Sequence, residues 1–114
     1  MINNTNSEYF KEHKEADFEE DVRNDLKGRN LLVIKMPCSL EKSIILPDLL
    51  VISPKKVGDK LSGVFFIELK TPNGRLSKIQ QITNKFLSKY VDVFVVYGWD
   101  DYYKALEKVL DDRQ

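Results

Sequence analysis

The run Val64-Phe65-Phe66-Ile67-Glu68-Leu69-Lys70 constrains this chain more than any other stretch. Its first four residues are apolar on both faces of a strand, the pattern of a strand buried in the middle of a sheet. Such a strand needs cover, so the chain is expected to fold as a sheet with helices packed against it. The same run ends in Glu68 and Lys70, which stand two residues apart and therefore project from one face. Charge at the end of a buried strand calls for a physical reason. Length sets the scale: 114 residues suffice for one domain around one core. Residues 1–7 read as a flexible polar tail, and residues 8–114 as that single domain.

Periodicity supplies the remaining elements. Phe18, Val22 and Leu26 recur every fourth residue, which predicts an amphipathic helix over about 8–27 that Gly28 stops. Leu31 to Ile34 and Pro47 to Ile52 read as strands, with proline tolerated at the first position of the second. The polar stretch 53–63 reads as a loop. After the Val64–Lys70 strand, Thr71-Pro72-Asn73-Gly74 is turn chemistry, and Ser77 can cap a helix reaching about residue 89. Ile79, Ile82, Phe86 and Leu87 form its apolar stripe and are expected to face the core. Residues 91–97 predict a fourth strand. Asp100 or Asp101 can cap a last helix whose stripe is Tyr102 or Tyr103, Leu106, Val109 and Leu110. The order is α-β-β-β-α-β-α, an α/β class with a mixed four-stranded sheet flanked by helices.

The strands on either side of loop 53–63 are expected to form an antiparallel hairpin. Asp48 and Glu68 lie equally far from Gly58, near the middle of that loop, so a symmetric hairpin sets them opposite one another. Directly opposed residues have β-carbons about 4.5–5.5 Å apart. Two carboxylates at that separation repel, and burial raises the cost. A divalent cation between them removes the difficulty, and an oxygen-only ligand set favours Mg²⁺ or Mn²⁺. Lys70, on the same face as Glu68, can position an attacking water or stabilise a phosphoryl transition state. These are the parts that metal-assisted phosphodiester hydrolysis needs.

Composition narrows the alternatives. Cys38 has no internal disulfide partner, and His13 is the one histidine, so zinc sites built from those residues are excluded. The polar start lacks the apolar run of a signal peptide, and no stretch is apolar enough to span a membrane. A reducing, intracellular setting is expected. Net charge is zero but unevenly spread. Residues 27–90 carry 12 basic and 4 acidic side chains, a net of +8, between acidic ends of −5 and −3. A basic middle suits a phosphate backbone, although scattered solubilising lysines would give the same count.

Pro47-Asp48 followed by Glu68-Leu69-Lys70 resembles the PD-(D/E)XK nuclease superfamily. The segment FIELKTPNGRLSKIQ, residues 66–80, resembles more closely its VRR-NUC branch, the virus-type replication–repair nucleases. The resemblance extends over about residues 15–110. It implies a restriction-endonuclease-like αβββαβ core, here with an additional C-terminal helix. It implies Asp48 and Glu68 as metal ligands, the Leu69 backbone carbonyl as a third, Lys70 as the catalytic lysine and Gln80 as a glutamine reaching into the site. The family also places a glutamate on the first helix. At 100° per residue, Glu15 and Glu19 fall within about 20° of the apolar stripe, whereas Glu20 points to solvent. Related junction resolvases carry the glutamate three residues before the first apolar anchor, which selects Glu15, with Glu19 next. One departure is Ile45, where the family often has a glycine.

The expectation is therefore a metal-dependent DNA endonuclease with Mg²⁺ or Mn²⁺. The resemblance implies branched DNA such as four-way (Holliday) junctions as its substrate, and a role in repair or phage replication. It implies the cytoplasm of a bacterial or phage-infected cell as the setting. Cutting both strands favours a homodimer, for which residues 44–46 are a candidate contact. Lys35, Arg75 and Lys78 are the preferred phosphate contacts; Lys42, Lys85 and Lys89 lie near them, and Lys55, Lys56 and Lys60 lie on loop 53–63. Trp99, Tyr102 and Tyr103 read as core or interface rather than as base-stacking platforms. A catalytically silent DNA-binding protein of the same fold, and an interaction domain without nucleic acid, are the competing readings.

Overall fold

The structure, a computed structural model, describes residues 2–37, 45–57 and 60–111, and their side chains over 7–37, 45–54 and 63–109. Its elements are α1 (Ile2–Glu12), α2 (Glu15–Gly28), β1 (Leu32–Lys35), β2 (Leu49–Val57), β3 (Lys60–Leu69), α3 (Lys78–Leu87), β4 (Asp92–Val96) and α4 (Trp99–Asp111). The sheet runs β1-β2-β3-β4, antiparallel until β4 joins β3 in parallel. α3 is the crossover that a parallel neighbour requires. This is the mixed four-stranded α/β sheet expected, with the helix after it.

Two helices replace the expected tail and single first helix. α1 already begins at Ile2 and ends where the His13 N–H donates to the Tyr9 carbonyl. Lys14 then turns extended, and its N–H donates to the Asp17 carboxylate at 3.0 Å, which starts α2 afresh. α1 is held by aromatic edges: Tyr9 on Trp99 and Phe10 on Phe18, with ring centroids 5.5 and 5.2 Å apart. Tyr9 also donates to Asp21 from its hydroxyl. Gly28 proves to be the last residue of α2 rather than the residue beyond it. The left-handed position is taken by Asn30, at φ 64°, and the Leu31 N–H returns to the Leu26 carbonyl.

The core fills one face of the sheet. Phe18, Val22 and Leu26 of α2 and Tyr102, Leu106 and Val109 of α4 pack on Leu49, Val51, Phe65, Ile67, Leu69 and Val96. Tyr102 is fully buried. Its hydroxyl donates to Asp25, which also pairs with Arg29 at 2.8 Å, so the one polar group of this buried ring is satisfied. Tyr103 is exposed and Trp99 half-buried, so this aromatic group belongs mainly to the core.

The other face is open. Leu32, Ile52 and Val64 form one row across it, and Ile34, Leu50, Phe66 and Val93 the next. Leu32 and Ile34 of the edge strand and Val64 are solvent-exposed. α3 lies over the end of this face but does not seal it. Ile79, Ile82 and Phe86, expected in the core, are exposed, and Asn84 is the buried residue of the helix. The expected loop 53–63 also differs. β2 and β3 continue pairing to Val57 and Lys60 after a register shift between Ser53 and Lys56. Residues 38–44, with Cys38, Lys42 and Ile44, and the side chains of Lys55, Lys56, Lys60 and Leu110 lie outside the described residues.

Candidate active site

The site grows out of the β2–β3 register. Leu49 pairs with Ile67, so Asp48, one residue earlier, stands against Glu68. Buried Pro47 leads into Asp48, whose carbonyl accepts the Met36 N–H at 2.9 Å. The Asp48 carboxylate accepts the Leu69 N–H at 2.7 Å, which fixes it across the strand end. Glu68 is 2% exposed. Gln80 holds one of its oxygens, donating from Nε2 to Oε2 at 3.3 Å, while Oε1 is buried without a partner among the described residues.

Gln80 has two tasks. Its N–H donates to the Ser77 hydroxyl and its side-chain oxygen accepts the Ser77 N–H, a capping box that opens α3. The amide nitrogen left over is the one that reaches Glu68. The sequence thus places the glutamine at the first turn of the helix for a local reason, and that turn aims it at the strand end.

Electrostatics marks the same cluster. Burial and the facing Asp48 push the Glu68 carboxyl up to about 8, with Lys70 working in the opposite direction. Burial also raises Asp48, against the hydrogen bonds it receives from Leu69 and Glu68. Without a cation, burial and the facing Asp48 favour the protonated form of Glu68. Glu15 is raised by burial and by Asp48, and lowered by Lys70 and by the Thr71 N–H that it accepts. Glu15, Asp48, Glu68, Lys70 and Gln80 are thereby brought together from α2, β2, β3 and α3. Glu19, one turn along α2, also raises Asp48, but its carboxylate is bound to Lys35 at 2.9 Å. It lines a groove of about 210 Å³ together with Lys35, Ile45, Asp48 and Gln80.

Gly74 is a contributor that pattern reading did not single out. Its N–H closes the turn onto the Thr71 carbonyl at 2.9 Å. A β-carbon there would lie 3.3 and 3.4 Å from Cβ and Cδ of Lys70 and 3.2 Å from the Thr71 oxygen. The turn therefore packs flat against the lysine stem. The signal available in sequence was a glycine four residues after the lysine, within a turn.

Arg75 and Lys78 are exposed at the turn and at the start of α3, and Lys35 lies at the other rim beside Glu19. Among the described residues no three histidine, cysteine or carboxylate side chains converge as a ready-made metal cage. The facing pair with its unpartnered buried oxygen nonetheless fits a hard divalent cation, because Mg²⁺ is held by one or two carboxylates and keeps several waters.

Element order and the carboxylate–lysine cluster at the sheet's end define a class, the nuclease-like α/β domain. No family model matches the sequence, and no curated protein matches it. A solved structure described as a VRR_NUC domain is similar to this chain at 25% identity and a TM-score of 0.62, over 82% of this chain and 94% of its own. That likeness supports reading the chain as a VRR-NUC-like nuclease fold.

Proposed function

We propose that this protein is a Mg²⁺- or Mn²⁺-dependent DNA endonuclease selective for branched DNA such as four-way junctions. The likeness to a VRR_NUC domain supports the nuclease part and suggests DNA as the substrate. The observation that carries the reading is Glu68. A carboxylate 2% exposed, facing a second carboxylate and left with an unpartnered oxygen, is costly in a structural role. As a cation ligand the same arrangement is favourable.

A cation bound there would offset phosphate charge and lower the pKa of a coordinated water. The residues do the rest. Asp48, pinned by the Leu69 N–H, and Glu68, steered by Gln80, hold fixed ligand directions. Lys70 stands beside them, its stem braced by Gly74, with its ammonium available to a developing negative oxygen. Glu15 accepts the Thr71 N–H and lies near enough to Lys70 and Asp48 to orient a water. Lys35, Arg75 and Lys78 would contact flanking phosphates.

A homodimer belongs to the same reading. Each chain carries one such site, and a branched substrate needs paired cuts. Leu32, Ile34 and Val64 on the open face, and separately Ile82, Phe86 and Tyr90 on and after α3, are exposed apolar side chains that a second copy would cover.

The test is cleavage of a labelled four-way junction and a matched linear duplex, with Mg²⁺ or Mn²⁺ and with chelator. The expected result is metal-dependent cutting of the junction that Glu68→Ala and Lys70→Ala both abolish. Cutting of both DNAs alike would remove the branch selectivity. Folded protein that cuts neither would leave a catalytically silent DNA-binding domain.

A further inference from the structure

A separate groove of about 480 Å³ lies between the end of α1 and the turn that follows Lys70. One wall is Ser7, Phe10, Lys11 and His13; the other is Thr71, Pro72 and Asn73. It adjoins the catalytic cluster directly, because Thr71 is the residue after Lys70 and its N–H reaches Glu15. A strand with its scissile phosphate against Asp48, Glu68 and Lys70 would bring a neighbouring nucleotide close to this groove.

The lining chemistry narrows what fits. Phe10 is half-buried, held edge-on by Phe18, and its remaining surface gives one wall an apolar aromatic patch, with Pro72 apolar on the other. His13 extends the aromatic side, stacked on Tyr9 at 4.1 Å and 17°. Ser7, Thr71 and Asn73 supply neutral donors and acceptors suited to the edge of a base. The ionisable lining groups are Lys11 and His13, and His13 is within 3.7 Å of Asp17. Among the described residues no carboxylate lines the groove, which disfavours a second cation there. One lysine, beside a histidine that already faces Asp17, is poor equipment for a bare anion. A planar neutral ring with one phosphate beside it matches the set.

We infer that this groove receives an unpaired nucleotide base next to the scissile phosphate. The inference rests on the nuclease reading and deepens it. The substrate class becomes DNA with locally unpaired nucleotides, such as a flap or an opened junction, and α1 becomes the element that selects it. A fully stacked duplex cannot present a base this way without flipping it. Stacking on an aromatic wall is insensitive to base identity, so the preference concerns structure and not sequence.

The experiment measures affinity by fluorescence anisotropy for a paired duplex and for the same duplex with a short single-stranded flap, with Ca²⁺ replacing Mg²⁺ to prevent cutting. Wild-type protein is expected to bind the flapped DNA about tenfold more tightly, the size of one base–aromatic stack. Phe10→Leu, which keeps aliphatic packing against Phe18, and Lys11→Ala should each shrink that ratio while leaving duplex affinity in place. Thermal melting establishes that both variants are folded. An unchanged ratio in both variants, or no preference in the wild type, would overturn the inference. So would a parallel loss of affinity for both DNAs, which is general charge attraction. Cleavage in Mg²⁺ is followed alongside: failure to cut either DNA counts against the nuclease reading, while the affinity ratio still decides the groove.

Discussion

On one face of the sheet Leu49, Val51, Phe65, Ile67 and Leu69 are sealed beneath α2 and α4. On the other, Leu32, Ile34 and Val64 meet solvent, and Asp48, Glu68 and Lys70 share the strand end. The same strands make both faces, because alternate residues point opposite ways. The sealed face gathers apolar burial and satisfied polar groups such as the Tyr102 hydroxyl on Asp25. The open face accumulates what a stability optimum would avoid: a buried carboxylate pair, an unpartnered oxygen and exposed apolar side chains. Stability and function are thus divided between the two sides of one sheet.

The largest effect should come from breaking the sealed face. Phe18→Ala removes a fully buried ring and is expected to cost about 3–5 kcal/mol, measured by urea or thermal unfolding. Ile82→Ala on the open side should change stability of the isolated chain by less than about 0.5 kcal/mol. Comparable losses would mean that the two faces are energetically alike.

Activity should respond in the reverse sense. Lys70→Ala is expected to lower the cleavage rate by about 10²–10³-fold, the scale of losing one transition-state contact. Its unfolding midpoint should stay near the wild-type value, since Lys70 is half-exposed and outside the core cluster.

The divided faces were unequally legible in the sequence. The pairing of Asp48 with Glu68 could be read because strand period and hairpin symmetry are local rules, and the register of Leu49 with Ile67 obeys them. The stripe of Ile79, Ile82 and Phe86 was equally clear, but amphipathicity states that a face seeks cover without saying whether its own chain supplies it. Here Asn84 turns inward and the stripe turns out. α1 escaped notice because Ile2–Glu12 is mostly polar, and its anchors Tyr9 and Phe10 find Trp99 and Phe18 only in the folded chain. The strands beyond Ser53 were hidden by polar composition, since lysine-rich ribbons and loops look alike. At the site, Glu68 and Lys70 on β3 were readable from spacing, while Gln80 at the start of α3 was readable only through the family resemblance of residues 66–80. The bracing of Lys70 by Gly74 depends on how the turn folds back, which no spacing encodes.

A third expectation concerns pH. The folded-state pKa of Glu68, about 8, lies above its ordinary value of 4.5, so the fold binds the proton more tightly than the unfolded chain. That contribution to stability is complete below the ordinary value and is lost as pH rises towards and through about 8. In chelator, the urea midpoint should therefore fall between about pH 5 and about pH 9, and Glu68→Gln should flatten the slope. A midpoint that rises over this range in the wild type would contradict the buried pair. The smallest effect is expected from Gly74→Ala, where the added carbon presses on the Lys70 stem. It should lower kcat by about tenfold or less with KM little changed, the signature of a misplaced catalytic group.

The most direct measurement is Mn²⁺ binding followed by electron paramagnetic resonance, on wild-type protein and on Asp48→Asn and Glu68→Gln. Wild-type protein is expected to bind Mn²⁺ saturably, and both isosteric variants to lose that binding while remaining folded. Equal binding by all three would show that the facing carboxylates are not a metal site, and the nuclease chemistry built on them would fall with it.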